Sequence, residues 1–329
     1  MEGREDLLVV DRLKTQFFTY GGVVEALDEV SFEIRRGEIF GLVGESGCGK
    51  SVTTASILGL VAKPGRVISG RILLEGEDLL RKSQKEMNAV RGSRISIIFQ
   101  DPTSSLNPLF RIQYQVAEPY LYHQGMRKKR ALKEATRILG TTGLPDPEQK
   151  SRSYPHELSG GMRQRAMIAM ALTCQPDLLI ADEPTTNLDV TIARQIRDLV
   201  RELQRQFGTS VLWITHNMAV VAQLCDRVGV MYAGNIVEKT DVRTLFRDPR
   251  HPYTIRLLHA IPSAATSGVE LEEIPGSVPQ LIHPPAGCRF HPRCDRVMEV
   301  CSRQKPVEVE IRPGHFVACH LFRKREEAA

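Results

Sequence analysis

The sequence predicts an α/β fold, in which buried parallel strands alternate with helices. Residues 39–43 form an apolar run that is typical of a buried strand, and a helical segment at residues 52–60 follows after a glycine-rich loop. Residues 178–181 form a second apolar run, which ends directly in the acidic pair Asp182 and Glu183. Parallel strands are buried on both faces, and their carboxyl ends open onto the ligand-binding crevice of such a sheet. The two runs therefore indicate a ligand site at the ends of these strands.

The loop after the first strand fits the phosphate-binding pattern G-x-x-x-x-G-K-[ST]. Its residues are Gly44, Glu45, Ser46, Gly47, Cys48, Gly49, Lys50 and Ser51, and Val52 begins the segment that follows. Glycines allow backbone N–H groups to converge on phosphate oxygens, and a helix N-terminus adds a favourable field for anions. We expect Lys50 to reach the β- and γ-phosphates of a nucleotide, and the Ser51 hydroxyl to ligate Mg²⁺. A glycine-rich turn that matches by chance is the alternative, and the strand and helix on either side argue against it.

The acidic pair supplies the second part of the predicted nucleotide site. Asp182 is placed to hold the Mg²⁺ shell, and Glu183 is placed to polarise a water molecule toward the γ-phosphate. An Asp-Glu pair in a solvated loop is the alternative reading. The four apolar residues before the pair and Pro184 after it make that alternative the weaker one.

A third stretch reads Leu-Ser-Gly-Gly-Met at residues 158–162. Ser159 is a suitable helix cap, with the free N–H groups of Gly160 and Gly161 pointing outward. Taken alone, this is an ordinary helix start. Together with a phosphate loop and a strand-end acidic pair, it resembles the LSGGQ signature of the ATP-binding-cassette (ABC) ATPases. Met162 departs only mildly from that signature, because the backbone N–H groups and the serine carry the contact in that family.

Further motifs of that family occur in the family's order. Gln100 follows a strand-like run at residues 95–98 and resembles the Q-loop glutamine, which senses Mg²⁺ and the γ-phosphate. Residues 187–189 resemble the D-loop, and His216 resembles the switch histidine that contacts the γ-phosphate. The resemblance implies catalytic roles for Gln100, Glu183 and His216. It also implies that Ser51 and Gln100, with the Asp of the acidic pair, surround Mg²⁺.

An aromatic side chain stacks on adenine in the ABC ATPases. Tyr20 lies at the corresponding place, with Phe17 and Phe18 nearby. An inserted residue would shift the register among the three, and each of them could instead belong to the core. The resemblance therefore implies an aromatic contact with the base, and Tyr20 is our candidate.

The composition is that of an ordinary globular protein, with 42% hydrophobic and 25% charged residues in a chain of 329. The net charge of +5 is mildly basic, and the short basic run at residues 127–130 indicates a solvated helix face. The N-terminus lacks the cationic-then-apolar pattern of a signal peptide, and no apolar stretch of about eighteen residues occurs. We therefore expect no nucleic-acid partner, and any membrane role must come through partner subunits.

We expect residues 1–250 to form an ABC nucleotide-binding domain. Within it, residues from about 103 to 172 are polar and helical in pattern, which in ABC ATPases is the helical subdomain that carries the signature. Residues 251–329 form a proline-rich extension. The sequences FRDPRHPYT at 246–254 and QDPTSSLNP at 100–108 resemble the oligopeptide/dipeptide importer ATPases. That resemblance covers nearly the whole chain.

Four of the seven cysteines crowd the extension, and they are Cys288, Cys294, Cys301 and Cys319. Cytosolic proteins rarely keep disulfides, so clustered thiols suggest a metal. The close C-x₂₋₄-C pairs of structural zinc are missing, and four thiolates without them fit a [4Fe–4S] cluster. Some members of the resembled family carry such a cluster in this extension. Zinc and free thiols are the alternatives, with His291, His315 and His320 as reserve ligands.

The resemblance implies an ATPase subunit that energises an ABC importer of di- or oligopeptides. Two copies, or this chain with a paralogous ATPase subunit, would close head-to-tail over two ATP molecules. Each ATP would lie between Lys50 of one subunit and residues 159–161 of the other. The partners would be two integral membrane permease subunits and an extracellular or periplasmic solute-binding protein. The chain would lie peripherally at the cytoplasmic face of the inner membrane.

Other functions stay open on the sequence alone. Importers of this type also carry nickel, short glycans and other small solutes, and the contacts to the cargo lie in other subunits. A soluble ABC ATPase of DNA repair or translation would show coiled-coil insertions, zinc modules or a second cassette, and none is visible. A regulatory subunit without turnover would be expected to lose Glu183 or His216, and both are present.

Overall fold

A computed structural model describes residues 5–260 and 274–322. The chain divides into two compact units. Among the described residues, the first unit contains 5–7, 35–38 and 81–214, and the second contains 8–34, 39–80, 215–260 and 274–322. Within the described ranges, no helix is long and apolar enough to cross a membrane.

In chain order the strands are β1 (Asp6–Thr19), β2 (Gly22–Arg35), β3 (Ile39–Val43), β4 (Gly65–Leu74), β5 (Glu77–Asp78), β6 (Ile95–Ile98), β7 (Leu178–Asp182), β8 (Ser210–Thr215), β9 (Arg227–Tyr232), β10 (Asn235–Asp241), β11 (Val309–Arg312) and β12 (His315–Val317). The helices are α1 (Lys50–Ile57), α2 (Gln84–Val90), α3 (Pro102–Ser105), α4 (Ile112–Gln124), α5 (Lys128–Thr141), α6 (Pro147–Lys150), α7 (Gly160–Leu172), α8 (Val190–Phe207), α9 (Met218–Leu224), α10 (Val242–Arg247) and α11 (Pro252–His259).

The first unit contains the parallel strands β6, β7 and β8, with β7 in the middle. Ile95 lies beside Leu178, and Leu178 lies beside Ser210. The apolar side chains of β7 are almost completely buried, as expected for a central parallel strand. The predicted strand that ends in the acidic pair is therefore confirmed.

A helical core in the first unit joins α4, α5 and α7. Its fully buried side chains include Ile112, Val116, Ala131, Ala135, Ile138, Leu139, Ala166 and Ala169. Those of α5 recur at spacings of three and four residues, so that one face of the helix is apolar. Small alanines on α5 and α7 allow the two helices to pack closely, and this core supports the start of α7.

Apolar residues at three- and four-residue spacing predict a helix over residues 189–207, and the structure contains it as α8. Asp189 caps it, because its carboxylate accepts a hydrogen bond from the N–H of Ile192 at 2.9 Å. The helix ends at Gly208, which adopts the left-handed conformation with a φ of 69°. Ile196, Leu199, Val200 and Leu203 are buried at the spacing that the sequence predicted.

The second unit contains an antiparallel sheet in the order β2-β1-β4-β5. Leu8 lies beside Leu74 and Phe17 beside Gly65 in the pairing of β1 with β4. The pattern at residues 7–10 and at residues 30–34 predicts two short strands, whereas β1 and β2 have 14 residues each. Polar residues alternate with buried ones along both strands, so each strand continues well beyond its stretch of mainly apolar residues.

The remaining strands of the second unit follow the order β11-β12-β10-β9-β3. β3 and β9 are parallel, and β10 returns antiparallel to β9. The extension adds β12 to β10, where Glu238 lies beside Val317 and Lys239 beside Phe316. The C-terminal residues thus continue the sheet that carries the phosphate-binding segment.

Candidate functional site

The phosphate loop of the second unit joins the buried strand β3 to α1. Gly44 has a φ of 159°, and a Cβ atom there would lie 2.1 Å from the carbonyl oxygen of Met231. Gly49 has a φ of 110°, and a Cβ atom there would lie 2.8 Å from a methyl group of Leu27. Glycine is required at both positions, because the loop passes too close to its neighbours for any side chain. The predicted strand, loop and helix are confirmed.

Lys50 is the first residue of α1 and is only 6% exposed. Its Nζ donates to the carbonyl oxygen of Gly44 at 2.8 Å and to that of Glu45 at 3.0 Å. It also lies 3.7 Å from the Sγ of Cys48. The ammonium group is therefore held inside the loop, where a phosphate group of a bound nucleotide would find it.

The outer face of the loop is open to solvent. Ser46, Gly47 and Ser51 are exposed, and Val52 is half-buried. Cys48 is fully buried, and burial raises the pKa of its thiol despite the nearby Lys50 ammonium. Cys48 therefore serves as a packed neutral side chain, and the exposed residues form the surface available to an anion.

Glu45 anchors this loop through contacts that the sequence did not predict. Its N–H donates to the Tyr253 hydroxyl at 3.1 Å. Its carboxylate accepts hydrogen bonds from the Arg293 guanidinium at 2.8 and 3.3 Å. Both partners are more than 200 residues away in sequence, so no local pattern could have indicated them.

The first unit places Glu183 directly after Asp182, the last residue of β7. The Glu183 carboxylate accepts a hydrogen bond from the Thr186 hydroxyl at 3.0 Å, and it lies 3.4 Å from the amide nitrogen of Gln100. The two predicted catalytic residues of this unit are therefore neighbours. Thr186 was not predicted, although its place three residues after Glu183 on a tight turn is a recognisable signal.

Glu183 adopts a φ of 47°, in the left-handed region that non-glycine residues rarely occupy. Its N–H is fixed by a hydrogen bond to the carbonyl oxygen of Ile214 at 3.0 Å. Unusual backbone conformations persist where the surroundings determine them, and they are common at functional sites. The unusual backbone of Glu183 at the end of β7 is therefore held in place by its surroundings.

The Ser-Gly-Gly stretch of the first unit begins α7 as predicted. Ser159 caps the helix, because its hydroxyl accepts a hydrogen bond from the N–H of Met162 at 3.3 Å. A Cβ atom at Gly161 would lie 2.9 Å from a methyl group of Ile192, so this glycine allows α7 to approach α8. Ser159 itself is exposed and Gly160 is half-buried, which leaves the helix start open to a partner.

His216 of the second unit is exposed and directly follows β8. The N–H of Asn217 donates to the Thr215 hydroxyl at 3.0 Å, and Asn217 caps α9. The backbone on both sides of the histidine is therefore fixed.

Tyr20 is fully exposed in the turn between β1 and β2, whereas Phe17 packs at Gly65. The exposed Tyr20 is the one of the two that is available to a base.

The residues expected around Mg²⁺ suit that ion chemically. The Ser51 hydroxyl is exposed, and Asp182 is half-buried at the end of its strand. Magnesium prefers oxygen ligands, and it usually keeps several waters and substrate phosphates with only one or two protein ligands. The oxygen of each side chain is therefore, taken singly, a ligand type that suits Mg²⁺.

The four cysteines of the extension do not form the expected metal site. Across the described residues, no group of three or more His, Cys, Asp or Glu side chains is placed to hold a metal ion. Burial raises the pKa of Cys288 and of Cys319 to about 11, and nearby thiols add to both shifts. The structure therefore does not support the predicted [4Fe–4S] cluster or its zinc alternative. Cys294, Cys301 and Cys319 do lie near enough to Cys288 to contribute to its raised pKa, so the thiols are close in space without forming a group placed to hold a metal ion.

Models of two protein families match the chain. The ABC transporter family matches residues 27–186, which include the phosphate loop, the signature stretch and the acidic pair. The family described as the C-terminal region of oligopeptide/dipeptide transporters matches residues 237–301. The two matches cover most of both units' site residues.

Curated relatives are similar over nearly the full length. The chain is 49% identical to the dipeptide transport ATP-binding protein DppD of Bacillus subtilis, covering 99% of this chain and 97% of that protein. It is 47% identical to the oligopeptide transport ATP-binding protein OppD of Salmonella typhimurium, covering 98% and 95%. The chain therefore belongs to the ABC transporter ATP-binding proteins of the oligopeptide/dipeptide type. As a member of this family it is an ATP hydrolase coupled to transport.

Solved structures agree with this assignment. The ATP-binding cassette MJ0796, solved as a dimer with ADP and phosphate, has a TM-score of 0.65 and 25% identity, covering 72% of this chain and 99% of that chain. CbiO1 of Clostridium perfringens has a TM-score of 0.64 and 29% identity, covering 77% and 96%. The α/β fold of the ABC ATPases is thereby confirmed.

Proposed function

We propose that this chain hydrolyses ATP to energise the import of dipeptides or oligopeptides. One observation supports the catalytic part above the others. Glu183 follows the strand-end Asp182, and its carboxylate is oriented by the Thr186 hydroxyl at 3.0 Å. A carboxylate held in this way can orient an attacking water molecule. Phosphoryl transfer depends mainly on such positioning and on charge stabilisation.

The proposed roles follow from the chemistry of each side chain. Lys50 and the loop N–H groups bind the β- and γ-phosphates, and Ser51 and Asp182 hold Mg²⁺, which neutralises charge on the phosphates. Gln100 responds to the γ-phosphate beside Glu183. His216 donates a hydrogen bond to the γ-phosphate. Tyr20 stacks on adenine.

The proposed partners complete the transporter. Two integral membrane permease subunits would receive the force, and a solute-binding protein outside the membrane would deliver the cargo. Two ATPase subunits, either copies of this chain or a paralogous pair, would close over ATP so that Ser159 of one faces Lys50 of the other. The relatives named as dipeptide and oligopeptide transport ATP-binding proteins support a role in peptide transport. The chain would lie peripherally at the cytoplasmic face of the inner membrane, bound to the permease subunits.

The catalytic proposal is tested by Glu183→Gln. This substitution keeps the shape of the side chain and removes its basicity, so ATP binding is retained and hydrolysis slows by at least ~10²-fold. Phosphate release and size-exclusion chromatography with Mg-ATP measure the two effects, and a stable closed dimer is expected. Near-normal turnover in the variant would refute the role of Glu183.

The cargo is tested separately in cells that lack this chain. Uptake of labelled di- and oligopeptides should be lost, and it should return with the wild-type chain but not with Glu183→Gln. Nickel and short glycans serve as alternative cargoes in the same assay. Restored uptake of either of these, without peptide uptake, would move the proposal to another solute within the same importer class.

Two finer predictions remain proposals. We place the end of the nucleotide-binding domain near residue 250, with the helical subdomain at about 103–172 and the extension at 251–329. The [4Fe–4S] cluster carries no step of the proposed reaction. Iron and acid-labile sulfide near four per chain in anaerobically purified protein would establish it, and one zinc per chain would establish the alternative.

A further inference from the structure

We propose that Arg293, a residue of the C-terminal extension, is a positioning residue for ATP binding that acts through Glu45 of the phosphate loop. The inference rests on the proposed nucleotide site. It adds that the C-terminal extension neutralises the charge of Glu45 and holds the phosphate loop in place. Both residues belong to the second unit, so the contact lies within one compact body.

All three nitrogen atoms of the Arg293 guanidinium donate hydrogen bonds. Its Nε donates to the carbonyl oxygen of Pro275 at 2.9 Å, and Nη2 donates to that of Ile274 at 3.1 Å. Nη1 lies 3.4 Å from the Tyr232 hydroxyl and 2.8 Å from the Glu45 carboxylate. The side chain is only 6% exposed. Arginine suits this place because its planar fork can bind a carboxylate with two parallel bonds.

Glu45 is held at three points, and each holds a different part of the residue. Arg293 binds the carboxylate, the Tyr253 hydroxyl accepts from the N–H, and the carbonyl oxygen accepts from Lys50 Nζ at 3.0 Å. Tyr253 is itself fully buried. The position of Glu45 therefore determines where Lys50 is held in the loop.

The apex of the loop has little support of its own. A Cβ atom at Gly47 would meet nothing within 4 Å, and Ser46 beside it is exposed. The packing that fixes the loop therefore comes from its two ends, and Glu45 is the residue that links one end to the extension. Without that link, the loop gains conformational freedom that must be lost again when ATP binds.

The charge of Glu45 supplies a second reason. A carboxylate in the phosphate loop repels a triphosphate, and Arg293 is the cation that compensates it. Removing one partner of a shielded ion pair leaves the other charge unbalanced. A variant that lacks Arg293 should therefore bind ATP weakly, and neutralising Glu45 should relieve the defect.

The experiment measures the dissociation constant for a fluorescent ATP analogue on the full-length chain. Arg293→Gln should weaken binding by at least ~10-fold, and Arg293→Lys, which keeps the charge but not the fork, by ~3-fold. Glu45→Gln alone keeps an acceptor for the guanidinium and should weaken binding less than Arg293→Gln does. The double variant should bind ATP more tightly than Arg293→Gln, because the unbalanced carboxylate is then absent.

Arg289 provides the matched control. It lies on the same segment, is also buried, and binds the Glu25 carboxylate at 2.6 Å and the Ala233 carbonyl oxygen at 2.6 Å, not Glu45. Arg289→Gln should lower the thermal midpoint while it changes ATP affinity by less than ~2-fold. A general loosening of the extension would instead weaken ATP binding in both arginine variants.

Kinetics distinguish this proposal from the catalytic one. In the assembled importer, Arg293→Gln should raise KM for ATP, while kcat at saturating ATP stays within ~3-fold of wild type. Glu183→Gln loses kcat instead. Wild-type affinity in folded Arg293→Gln, or a double variant that binds more weakly than Arg293→Gln, would overturn the proposal. If Arg293→Gln does not fold, the same comparison with Arg293→Lys decides.

Discussion

A buried histidine makes the stability of the second unit depend on pH. His251 is 1% exposed and caps α11, where its Nδ1 accepts a hydrogen bond from the N–H of Tyr253 at 3.1 Å. Burial lowers its pKa from 6.5 to about 4, and the Glu238 carboxylate opposes this shift only in part. The folded protein thus keeps the imidazole neutral, and protonation would both charge a buried ring and remove the acceptor that caps the helix.

The sign and size of the effect follow from proton linkage. Between about pH 4 and 6.5 the unfolded chain binds a proton at this residue and the folded chain does not, so stability falls as the pH is lowered through that window. The full difference corresponds to about 3 kcal/mol. About 2.5 kcal/mol of it is lost between about pH 7.5 and 4.5. For a cooperative unit of about 150–250 residues, this is roughly 6–12 °C in the thermal midpoint.

The test compares the wild type with His251→Asn. Asparagine is a good helix cap with an acceptor oxygen, and it does not titrate in this range. Thermal melts from about pH 7.5 to 4.5 should show a smaller loss in the variant, by about 2–3 kcal/mol. Titrating groups distant from residue 251 affect both proteins equally, so the difference between the profiles reports on His251 and its coupling to Glu238. Parallel pH profiles for the two proteins would refute the reasoning.

Three further predictions concern the nucleotide site. Mixing Lys50→Ala with Ser159→Arg subunits should restore part of the ATPase activity if the chain pairs with itself, because one intact site forms in a mixed dimer; no activity above the single variants would exclude the trans geometry or self-pairing. Thr186→Val should lower kcat by roughly 3- to 10-fold with KM unchanged, since the hydrogen bond that orients Glu183 is lost; a KM effect alone would contradict this role. Tyr20→Ala should weaken ATP binding by about 3- to 10-fold, as measured by titration, whereas Phe18→Ala should not; the reverse pattern would reassign the base contact.

The sequence predicted those parts of the site that depend on local pattern. The conformation of the loop from Gly44 to Ser51 is determined by its local sequence, because glycines at fixed positions allow the required turns. The acidic pair at Asp182 was predictable because a continuous apolar run marks a central strand and its end. Ser159 was predictable because a helix cap is a local feature.

The contacts that connect distant segments were beyond such reasoning. The bond between Glu45 and Arg293 spans 248 residues, and nothing in either segment alone indicates it. The expected metal at the four cysteines is not supported, because no group of three or more metal-ligating side chains among the described residues is placed to hold an ion. The thiols do lie near one another, since Cys294, Cys301 and Cys319 contribute to the raised pKa of Cys288, but their spacing in the sequence did not establish a metal-binding geometry. Strand lengths were underestimated because a half-buried strand such as β1 contains as many polar as apolar residues.

The pairing of β12 with β10 also affects the tendency of the chain to aggregate. β10 would present unpaired N–H and C=O groups along its side if the extension were removed, and open strand edges recruit other chains. The extension moves the edge to β11, a strand of four residues that carries the charged Glu310 and Arg312. Short, charged edge strands resist such recruitment. A chain shortened at residue 250 should therefore aggregate even where its nucleotide loop is intact. The extension thus protects the sheet edge against self-association.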